Sequence, residues 1–320
     1  MKDRNSKNLW TNKYFVALMA TIACVLWGSA FPVLKLTYGE LQLHGNDTIS
    51  RVFLAGLRFF LAAILLFSVY RMLFKQSTRI KRSLLRPLFF LGLSQTALQY
   101  YFFYNGLAHT EGIKAAILNV FGNLLVVLVA HFIYADDRLN LGKVVGLITG
   151  FAGIIIINWQ GGGHGFSWNL SFKGEGFMLL SGVASVYGTF QAKKLAKDLN
   201  PVLINAYQFF FGSLVLLVLS TPRLTVNSFQ ATSLFWILLV YSAILSAAAF
   251  SIWYTLLRYN KAGEVTLYRF VIPISGTLLS ALFLPEESIS FIAIFALGLV
   301  VLGLIVVNYW GKKEKAIEEV

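Results

Sequence analysis

Residues 136–158 read DDRLNLGKVVGLITGFAGIIIIN, and residues 286–308 read EESISFIAIFALGLVVLGLIVVN, an offset of 150 positions. Both stretches open with an acidic pair, continue into an apolar run and end on asparagine. Gly153 in the first stretch aligns with Gly303 in the second. A single match of this kind is weak in an apolar chain, so we looked for other segments that repeat in the same order.

Three further segments repeat in that order. They are Arg58-Phe59-Phe60 with Gln208-Phe209-Phe210 and Tyr104 with Tyr254 at the same offset, and Trp27-Gly28-Ser29 with Tyr187-Gly188-Thr189 at an offset of 160. Ordered matches along the chain indicate an internal duplication rather than chance similarity between apolar segments.

The composition is too apolar for a soluble protein. Of the 320 residues, 57% are hydrophobic and 13% are charged, whereas a soluble domain has about 25% charged residues. A membrane-crossing helix needs about 20 mainly apolar residues. The runs that meet this requirement are residues 14–36, 53–74, 87–108, 112–134, 141–158, 175–193, 201–220, 233–257, 263–284 and 291–310. We therefore predict an all-α membrane protein with ten transmembrane helices.

Each repeat contains five of these predicted spans, and the odd number determines how the halves are related. The second unit begins on the opposite side of the membrane, so the two five-helix repeats are inverted. The predicted division is an N-terminal segment, the two repeats and a tail, at residues 1–13, 14–160, 174–310 and 311–320. Inverted repeats offer a route to alternating access, because exchanging the packing of the two halves exposes a midplane site to either side.

The basic residues orient the chain. Most of the 27 lysines and arginines fall in the N-terminal segment, the tail and the loops that follow spans 2, 4, 6 and 8. Lys35, Arg51, Lys173 and Arg223 are the basic residues of the opposite set of loops. This asymmetry predicts a multi-pass protein of the cytoplasmic membrane with both termini cytoplasmic. It also accounts for the net charge of +13 without a nucleic-acid partner.

The sequence offers little to a cofactor or a metal. The single cysteine, Cys24, lies in an apolar run and excludes a disulfide framework. His109 and His131 lack the spacing of metal ligands. The spans contain no deep carboxylate for a proton relay. We therefore expect no cofactor and no metal, and protons are a candidate coupling ion only through a histidine; uniport and exchange are the alternatives.

Several stretches resemble the drug/metabolite transporter superfamily, whose EamA-type members contain two five-span repeats. They are Trp27-Gly-Ser-Ala-Phe-Pro in span 1, Leu57-Arg58-Phe59 in span 2, and Ile272-Pro273 through Leu284-Pro285-Glu286-Glu287 in span 9, before a glycine-containing span 10. The resemblance covers nearly the whole chain and implies a carrier of amino acids, nucleotide sugars, sugars, purines or drugs. It implies alternating access and no bound cofactor. The first half departs from the pattern, with Gly122-Asn123 and Asp136-Asp137 in place of the span-4 proline and glutamate.

Arg269 is the first candidate for substrate binding. It lies about eight residues into span 9, roughly 12 Å deep at 1.5 Å per residue. A charge at that depth is costly unless it faces a water-filled cavity or has a partner. We expect an anchor for a substrate carboxylate or phosphate, and the alternative is a structural ion pair or a snorkelling side chain. Tyr268 beside it is a further candidate for substrate binding.

Aromatic and amide residues near the midplane supply more candidates. Trp27 and its repeat mate Tyr187 are expected either to form walls of a cavity or to pack as lipid-facing bulk. Gln95 and Gln99 share one face of span 3, which fits a cavity wall or a polar contact between helices. We expect the cavity walls to come from spans 1, 3, 4, 6, 8 and 9.

The fourth and ninth spans are compared through their alignment. Asn119 and Asn123 occupy the positions of Arg269 and Pro273, which makes both asparagines candidates for substrate binding. Pro273 removes one backbone hydrogen bond and is the predicted hinge of span 9. A simple bend in the helix is the alternative explanation for this proline.

Three other charged residues are expected to be peripheral. Arg58 is placed close to the outer end of span 2, where its side chain can snorkel to the interface. Lys114 and Glu264, which align with each other, are expected to be solvated charges where a loop enters a helix.

These features predict a secondary transporter that moves a small metabolite (an amino acid, a sugar or a related compound) or a drug, in the direction of export. Its partners would be the small-molecule substrate and the lipid bilayer, and the chain would act as a monomer or homodimer. The alternative is a sensor or scaffold on the same fold without flux. An enzyme would need clustered catalytic groups, and a channel would need a filter loop or rings of charge; the sequence has neither pattern.

Overall fold

The computed structural model describes residues 9–318 except 45, 134–138, 158, 161–166, 169–170, 197, 225–231, 261–264 and 266. Within that part of the chain, a helical segment lies at each predicted apolar run. The α-helices are α1 Lys13–Glu40, α2 Thr48–Leu73, α3 Arg82–Gly92, α4 Gln99–Ala108, α5 Gly112–Leu118, α6 Val120–Ile133, α7 Leu141–Ile157, α8 Phe177–Leu195, α9 Pro201–Ser220, α10 Ser233–Tyr259, α11 Val271–Phe283 and α12 Phe291–Glu318.

Short polar side chains mark where several of these helices begin. The side chain of Asn12 accepts hydrogen bonds from the backbone amides of Tyr14 and Phe15 at the start of α1. Asn200 caps α9 in the same way, followed by Pro201, whose missing N–H costs nothing in the first turn. Thr232 caps α10. These caps satisfy amide groups that have no partner inside the helix.

In the described part of the chain, four of the predicted spans contain a change of helix type; in span 6 the π-helical turn Phe172–Gly176 leads into α8. In span 3 the π-helical turn Leu93–Leu98 joins α3 to α4, and in span 4 the single residue Asn119 separates α5 from α6. In span 9 the 3₁₀ turn Leu267–Phe270 precedes α11. Between the halves, the two-residue strands β1 Trp159–Gln160 and β2 Ser167–Trp168 pair antiparallel. Departures from α geometry inside long helices often occur at functional sites.

The helices are suited to a lipid environment. Among the described residues, five helical stretches are long and apolar enough to cross a membrane: Lys13–Glu40, Thr48–Leu73, Gly112–Ile133 (α5 with α6), Pro201–Arg223 (α9 with the 3₁₀ turn after it) and Ser233–Tyr259. Many large apolar side chains point outward, such as Phe132, Leu141 and Phe291. Such exposure would be unfavourable in water and is expected in lipid. The prediction of an all-α membrane protein is confirmed, whereas the number of ten crossings stays a prediction.

The main pairs of helices that pack together have counterpart pairs formed by the repeat-equivalent helices. The repeat-equivalent helices α2 and α9 pack against each other, as do α7 and α12. The contact of α1 with α10 has its counterpart in that of α8 with α4. Likewise the contact of α1 with α11 corresponds to that of α8 with α6. The two halves are therefore related by a pseudo-two-fold axis.

One contact shows that equivalent spans run in opposite directions. The carboxylate of Glu287, just beyond the end of α11, accepts hydrogen bonds from the amides of Gly112 and Ile113 at 2.6 and 2.9 Å. The end of span 9 thus lies beside the start of span 4, its repeat mate. This arrangement is the one that inverted repeats require.

The glycine that recurs in the repeated stretches, as Gly153 and Gly303, lies where α7 and α12 approach closely. A Cβ atom on Gly153 would lie 2.6 Å from the carbonyl oxygen of Ala296, and one on Gly303 would lie 2.6 Å from that of Gly146. Because Gly146 and Ala296 are also repeat mates, the same close approach of α7 and α12 is formed twice. The aligned residues Asp136, Asp137 and Asn158 lie outside the described residues.

Candidate functional site

A cavity of about 140 Å³ lies inside the bundle, at the interface of the two halves. Its volume is roughly ten times that needed by one water molecule. The predicted walls from spans 1, 3, 4, 6, 8 and 9 all contribute, and span 2 adds Arg58. The polar residues that line it are Arg58, Gln95, Gln99, Tyr100, Asn119, Asn123, Ser185, Thr189, Lys193, Tyr254 and Arg269.

Arg269 lines the cavity from the 3₁₀ turn before α11. Its Nη1 donates a hydrogen bond to Oδ1 of Asn123, and its guanidinium lies 4.7 Å from the ring centroid of Trp253. The Nε atom is buried with no hydrogen-bond partner among the described residues. An amide and an indole are thus its neighbours, and neither a snorkelling position nor an ion pair with a described residue is observed.

Trp27 lines the cavity from α1. Its indole makes edge-to-face contacts with Phe250 and Trp253, at centroid distances of 5.2 and 5.4 Å. Such contacts between rings fix the orientation of the side chain. The alternative that Trp27 is lipid-facing bulk is wrong, and its role toward a substrate stays a prediction.

Tyr187 does not line the cavity, although its repeat mate Trp27 does. Its side chain is 56% exposed. The cavity-facing residues of α8 include Ser185, Thr189 and Lys193, which follow one another every four positions. Tyr187 lies about 200° around the helix from Ser185, at 100° per residue. The expectation that Tyr187 forms a cavity wall is therefore wrong.

The amide candidates lie where the sequence predicted. Asn119, Asn123 and Gln99 all line the cavity, as does Gln95. The Oε1 atoms of Gln95 and Gln99 are buried with no hydrogen-bond partner among the described residues. Buried acceptors of this kind are usually satisfied by protein, water or ligand. The Oε1 atom of Gln95 lies against Gly188 of α8, where a Cβ atom would come within 1.8 Å of it, so Gln99 is the glutamine whose acceptor is the candidate for a ligand.

Tyr268 is half-buried and packs against the apolar core. It does not line the cavity. Its neighbour Arg269 takes the inward direction, because adjacent residues in a helical turn point to different sides. The expectation of a direct role for Tyr268 in binding has no support from its position.

Pro273 is buried as the third residue of α11. The 3₁₀ turn Leu267–Phe270 leads directly into α11, so the missing N–H of Pro273 leaves a carbonyl of that turn without this donor. The change from 3₁₀ to α geometry lies two residues before the proline. The hinge at Pro273 stays a prediction.

Arg58 corrects the sequence analysis most strongly. Its side chain is 1% exposed and lines the cavity, so the expected snorkelling position is wrong. Its Nε donates to Oγ of Ser246 at 2.8 Å and to the carbonyl of Ser242 at 3.1 Å, and its Nη1 donates to the hydroxyl of Tyr104 at 3.2 Å. These partners come from both halves. The alignment of Arg58 with Gln208 was visible in the sequence. That the side chain of Arg58 points into the cavity was not.

The second half contains the same network with a neutral amide. Gln208 accepts a hydrogen bond from the hydroxyl of Tyr254 at 3.1 Å and donates to that of Thr96 at 3.4 Å. Tyr254 aligns with Tyr104, and Thr96 aligns with Ser246. The sequence repeat is therefore a repeat of contacts, in which one half has a guanidinium and the other an amide.

The cavity reaches one end of the bundle and is closed at the other. Lys193 and Leu257, in the last turns of α8 and α10, line it at the end that the charge pattern predicts to be cytoplasmic. At the opposite end the hydroxyl of Tyr38 donates to the carbonyl of Tyr104 at 2.9 Å, and Nε of Arg51 donates to Oδ1 of Asn105 at 2.9 Å.

An ion pair strengthens the closed end. Nζ of Lys114 lies 2.8 Å from Oε1 of Glu175, and both side chains are largely buried. The hydroxyl of Thr110 donates to the same carboxylate, which also accepts from the amide of Ser171. Lys114 is therefore not the solvated charge that the sequence suggested. Its repeat mate Glu264 lies outside the described residues.

Several lining residues were not singled out in the sequence. Trp253 contacts both Trp27 and Arg269, while Lys193 and Thr189 complete the wall from α8. In an apolar span, a tryptophan gives no signal of the face on which it lies. The periodicity of Ser185 and Thr189 was the available clue, because four-residue spacing puts two hydroxyls on one face.

Comparison with known proteins gives consistent results. The chain is 28% identical over 94% of its length to the uncharacterized transporter YvbV of Bacillus subtilis, covering 93% of that protein. It is 25% identical to an uncharacterized transporter of Archaeoglobus fulgidus, over 92% of this chain and 98% of the other. A crystal structure with 17% identity matches 94% of this chain and 99% of its own with a TM-score of 0.69, which shows the shared fold. The EamA-like transporter family matches residues 14–159 and 172–309, so the predicted resemblance is confirmed and the chain belongs to that family.

Proposed function

We propose that this membrane transporter is a secondary carrier that moves a small metabolite or a drug by alternating access, in the direction of export. The observation that carries the proposal is the cavity between two inverted halves, which reaches one end of the bundle and is closed at the other. In such folds the binding site lies at the interface of the repeats, and rocking of one half against the other changes its access.

The proposed substrate site consists of Arg269 with Asn119, Asn123, Gln99 and Trp27. Each of these side chains lines the cavity. We place the protein in the cytoplasmic membrane with both termini cytoplasmic, from the distribution of basic residues. In that orientation the cavity faces the cytoplasm, which is the state that loads an exporter. The small-molecule substrate and the lipid bilayer are the partners required, for a monomer or a homodimer, with protons as the first coupling ion to test.

A transport screen tests the proposal. Purified protein in proteoliposomes is loaded with a mixture of cellular metabolites, and uptake and efflux are followed by mass spectrometry with and without a pH gradient. We expect flux of at least one compound class that empty vesicles do not show. Arg269→Asn is the matched variant, because asparagine is the residue at the equivalent position 119, and we expect it to abolish that flux.

The screen also separates the competing function. Specific binding of a metabolite without flux in either direction would overturn the transporter and favour a sensor or scaffold. A normal rate in Arg269→Asn would remove Arg269 from the site while leaving transport in place. Flux that a pH gradient does not change would exclude protons as the coupling ion.

A further inference from the structure

The charges that line the cavity have one sign. Arg58, Lys193 and Arg269 contribute cations, and no aspartate or glutamate is among the lining residues that the structure describes. Elsewhere the chain does pair its buried charges, as in the ion pair of Lys114 with Glu175. The described residues of this cavity wall thus contain cations without a carboxylate beside them.

Arg269 is the least satisfied of the cavity cations. It has one hydrogen bond to a neutral amide, a stacking contact with Trp253 and a buried Nε without a partner in the described part of the chain. A guanidinium has five N–H donors, and burying its charge without a counter-charge is unfavourable. An anion in the cavity would supply both the counter-charge and the missing acceptors.

Arg58 adds a second positive charge with only neutral partners. It donates to a carbonyl and two hydroxyl groups, and no described residue accepts from its Nη2. Its guanidinium also lies 5.2 Å from the ring centroid of Phe59 and 5.9 Å from that of Tyr100. Arg58 has more hydrogen-bond partners than Arg269. We therefore infer that Arg58 attracts an anion through its charge alone, whereas Arg269 contacts the anion directly.

Aromatic rings connect the two arginines. Trp253 contacts Trp27, and Trp27 contacts Phe250. The chain of rings continues through Phe209 and Phe59 to Tyr100, with centroid distances between 4.3 and 5.2 Å. Trp27, Tyr100, Phe250 and Trp253 line the cavity itself, whereas Phe59 and Phe209 are buried in the core behind them. Such walls favour a planar apolar group, which stacks on them with little loss of conformational freedom.

The free acceptor of Gln99 indicates one more feature of the ligand. Its Oε1 atom is buried without a hydrogen-bond donor among the described residues. A ligand hydroxyl would satisfy this acceptor at no electrostatic cost. An ammonium group would also donate, but it would add a positive charge to a cavity that already contains Arg58 and Arg269 and no carboxylate among its described lining residues.

We propose that the cavity binds an organic anion that has an aromatic body, a hydroxyl donor and no cationic group, with its carboxylate or phosphate on Arg269. The proposal rests on the proposed transport function for its biological meaning, but it concerns binding alone. It distinguishes this protein from a carrier of zwitterionic amino acids or of cationic drugs.

Matched probes test the charge requirement on the unmodified protein. Purified protein in detergent is titrated with 3-phenyllactate, 3-phenylpropionate, phenylalanine, phenethylamine and phenyl phosphate, and binding is measured by calorimetry and by tryptophan fluorescence. We expect phenyllactate to bind tightest of the carboxylates and phenylpropionate more weakly. Phenylalanine and phenethylamine should bind at least about tenfold more weakly than phenyllactate, a difference of about one charged contact. Phenyl phosphate distinguishes a phosphate site from a carboxylate site.

Variants connect the preference to the residue. Arg269→Asn should weaken anion binding by about ten- to hundredfold, whereas Arg269→Lys should retain the preference for anions over the zwitterion. Arg223→Gln removes an exposed charge and serves as the control that leaves binding unchanged. The ranking of probes is measured without any substitution, so the test does not depend on whether a variant folds.

The outcomes for binding and for transport are separate. Equal or tighter binding of phenylalanine or phenethylamine would overturn the proposal, as would failure of every anionic probe to bind. Anion binding that survives Arg269→Asn would also overturn it. Anion binding without flux in vesicles would leave this inference standing and contradict the transport function instead.

Discussion

Arg58 and Gln208 occupy equivalent positions in the two repeats, but only Arg58 has a charge. Both side chains bridge a tyrosine of their own half to a hydroxyl of the other half. The surrounding structure thus accepts either an amide or a guanidinium at this position. The charge of Arg58 is therefore more important for the cavity than for the fold.

Arg58→Gln should fold normally and lose function. Glutamine at position 58 can accept from Tyr104 and donate to Ser246, as Gln208 does in the other half. We expect unchanged helical content and thermal stability. Loss of the charge should weaken binding of an anionic substrate by roughly 1 kcal/mol, because Arg58 acts on the anion through its charge and not by direct contact; calorimetry beside wild type measures the difference. The reverse variant Gln208→Arg is the control for charge at this layer, and unfolding of Arg58→Gln would contradict the interpretation.

Trp27 and Tyr187 are repeat mates with different surroundings, and alanine substitutions should separate them. Trp27→Ala removes ring contacts with Phe250 and Trp253, so we expect flux to fall about tenfold or more, with some loss of stability. Tyr187→Ala removes a side chain that is 56% exposed and outside the cavity. Its flux should stay within about twofold of wild type. Equal losses in the two variants would contradict the assigned positions.

At the scale of helices, backbone contact decides which glycines can be replaced. Gly303 of α12 would place a Cβ atom 2.6 Å from backbone atoms of Gly146 and Gly150 in α7. Gly298 of the same helix has no atom within 4 Å of such a Cβ. The two glycines thus form a matched pair for the packing of spans 5 and 10.

Gly303→Ala should destabilise the protein, and Gly298→Ala should not. In the first variant α7 and α12 must move apart, at a cost of about 1–3 kcal/mol. In the second variant alanine favours the helix by up to about 1 kcal/mol. Thermal unfolding in detergent, followed by circular dichroism, measures both. A stable Gly303→Ala protein would mean that the close helix crossing is not required.

Glu287 connects the ends of two equivalent spans, and its substitution should loosen the closed end of the cavity. Its carboxylate accepts from two amides at the start of α5, where a negative charge is favourable. Glu287→Gln should weaken this contact by about 1 kcal/mol, so opening of that end becomes about fivefold more frequent. The neighbouring Glu286 is exposed, which makes Glu286→Gln the matched control.

Cysteine labelling reports this opening. Asn119→Cys is placed in a Cys24→Ala background, which removes the single native cysteine. A membrane-impermeant maleimide is added from the side opposite Lys193. We expect faster labelling with Glu287→Gln and an unchanged rate with Glu286→Gln. Equal rates in both would show that Glu287 does not hold this end closed.

At the scale of the whole molecule, the inverted relation of the halves fixes the sidedness of every loop. Position 79 lies in a loop predicted to be cytoplasmic, and position 223 lies in a loop predicted to be on the opposite side. Single cysteines at these two exposed positions, in the Cys24→Ala background, should react with an impermeant maleimide in opposite membrane preparations. The Arg223→Cys variant should react in intact cells and the Arg79→Cys variant only in inverted vesicles. Labelling of both from one side would contradict the inverted topology.

The sequence by itself determined that the helices lie in lipid, that the chain contains a duplication and which family it resembles. Apolar runs, the asymmetry of basic residues and the 150-position repeat required only composition and spacing, which do not depend on the distances between spans. Arg269 was also found this way, since a charge deep in an apolar run is costly wherever the helix faces. What only the tertiary structure decided is which side of each helix faces the cavity. Apolar lipid and an apolar core give the same pattern along a helix. The sequence therefore left Tyr187 between cavity and lipid and allowed Arg58 to snorkel, and the packing of the two halves turned Tyr187 outward and Arg58 inward.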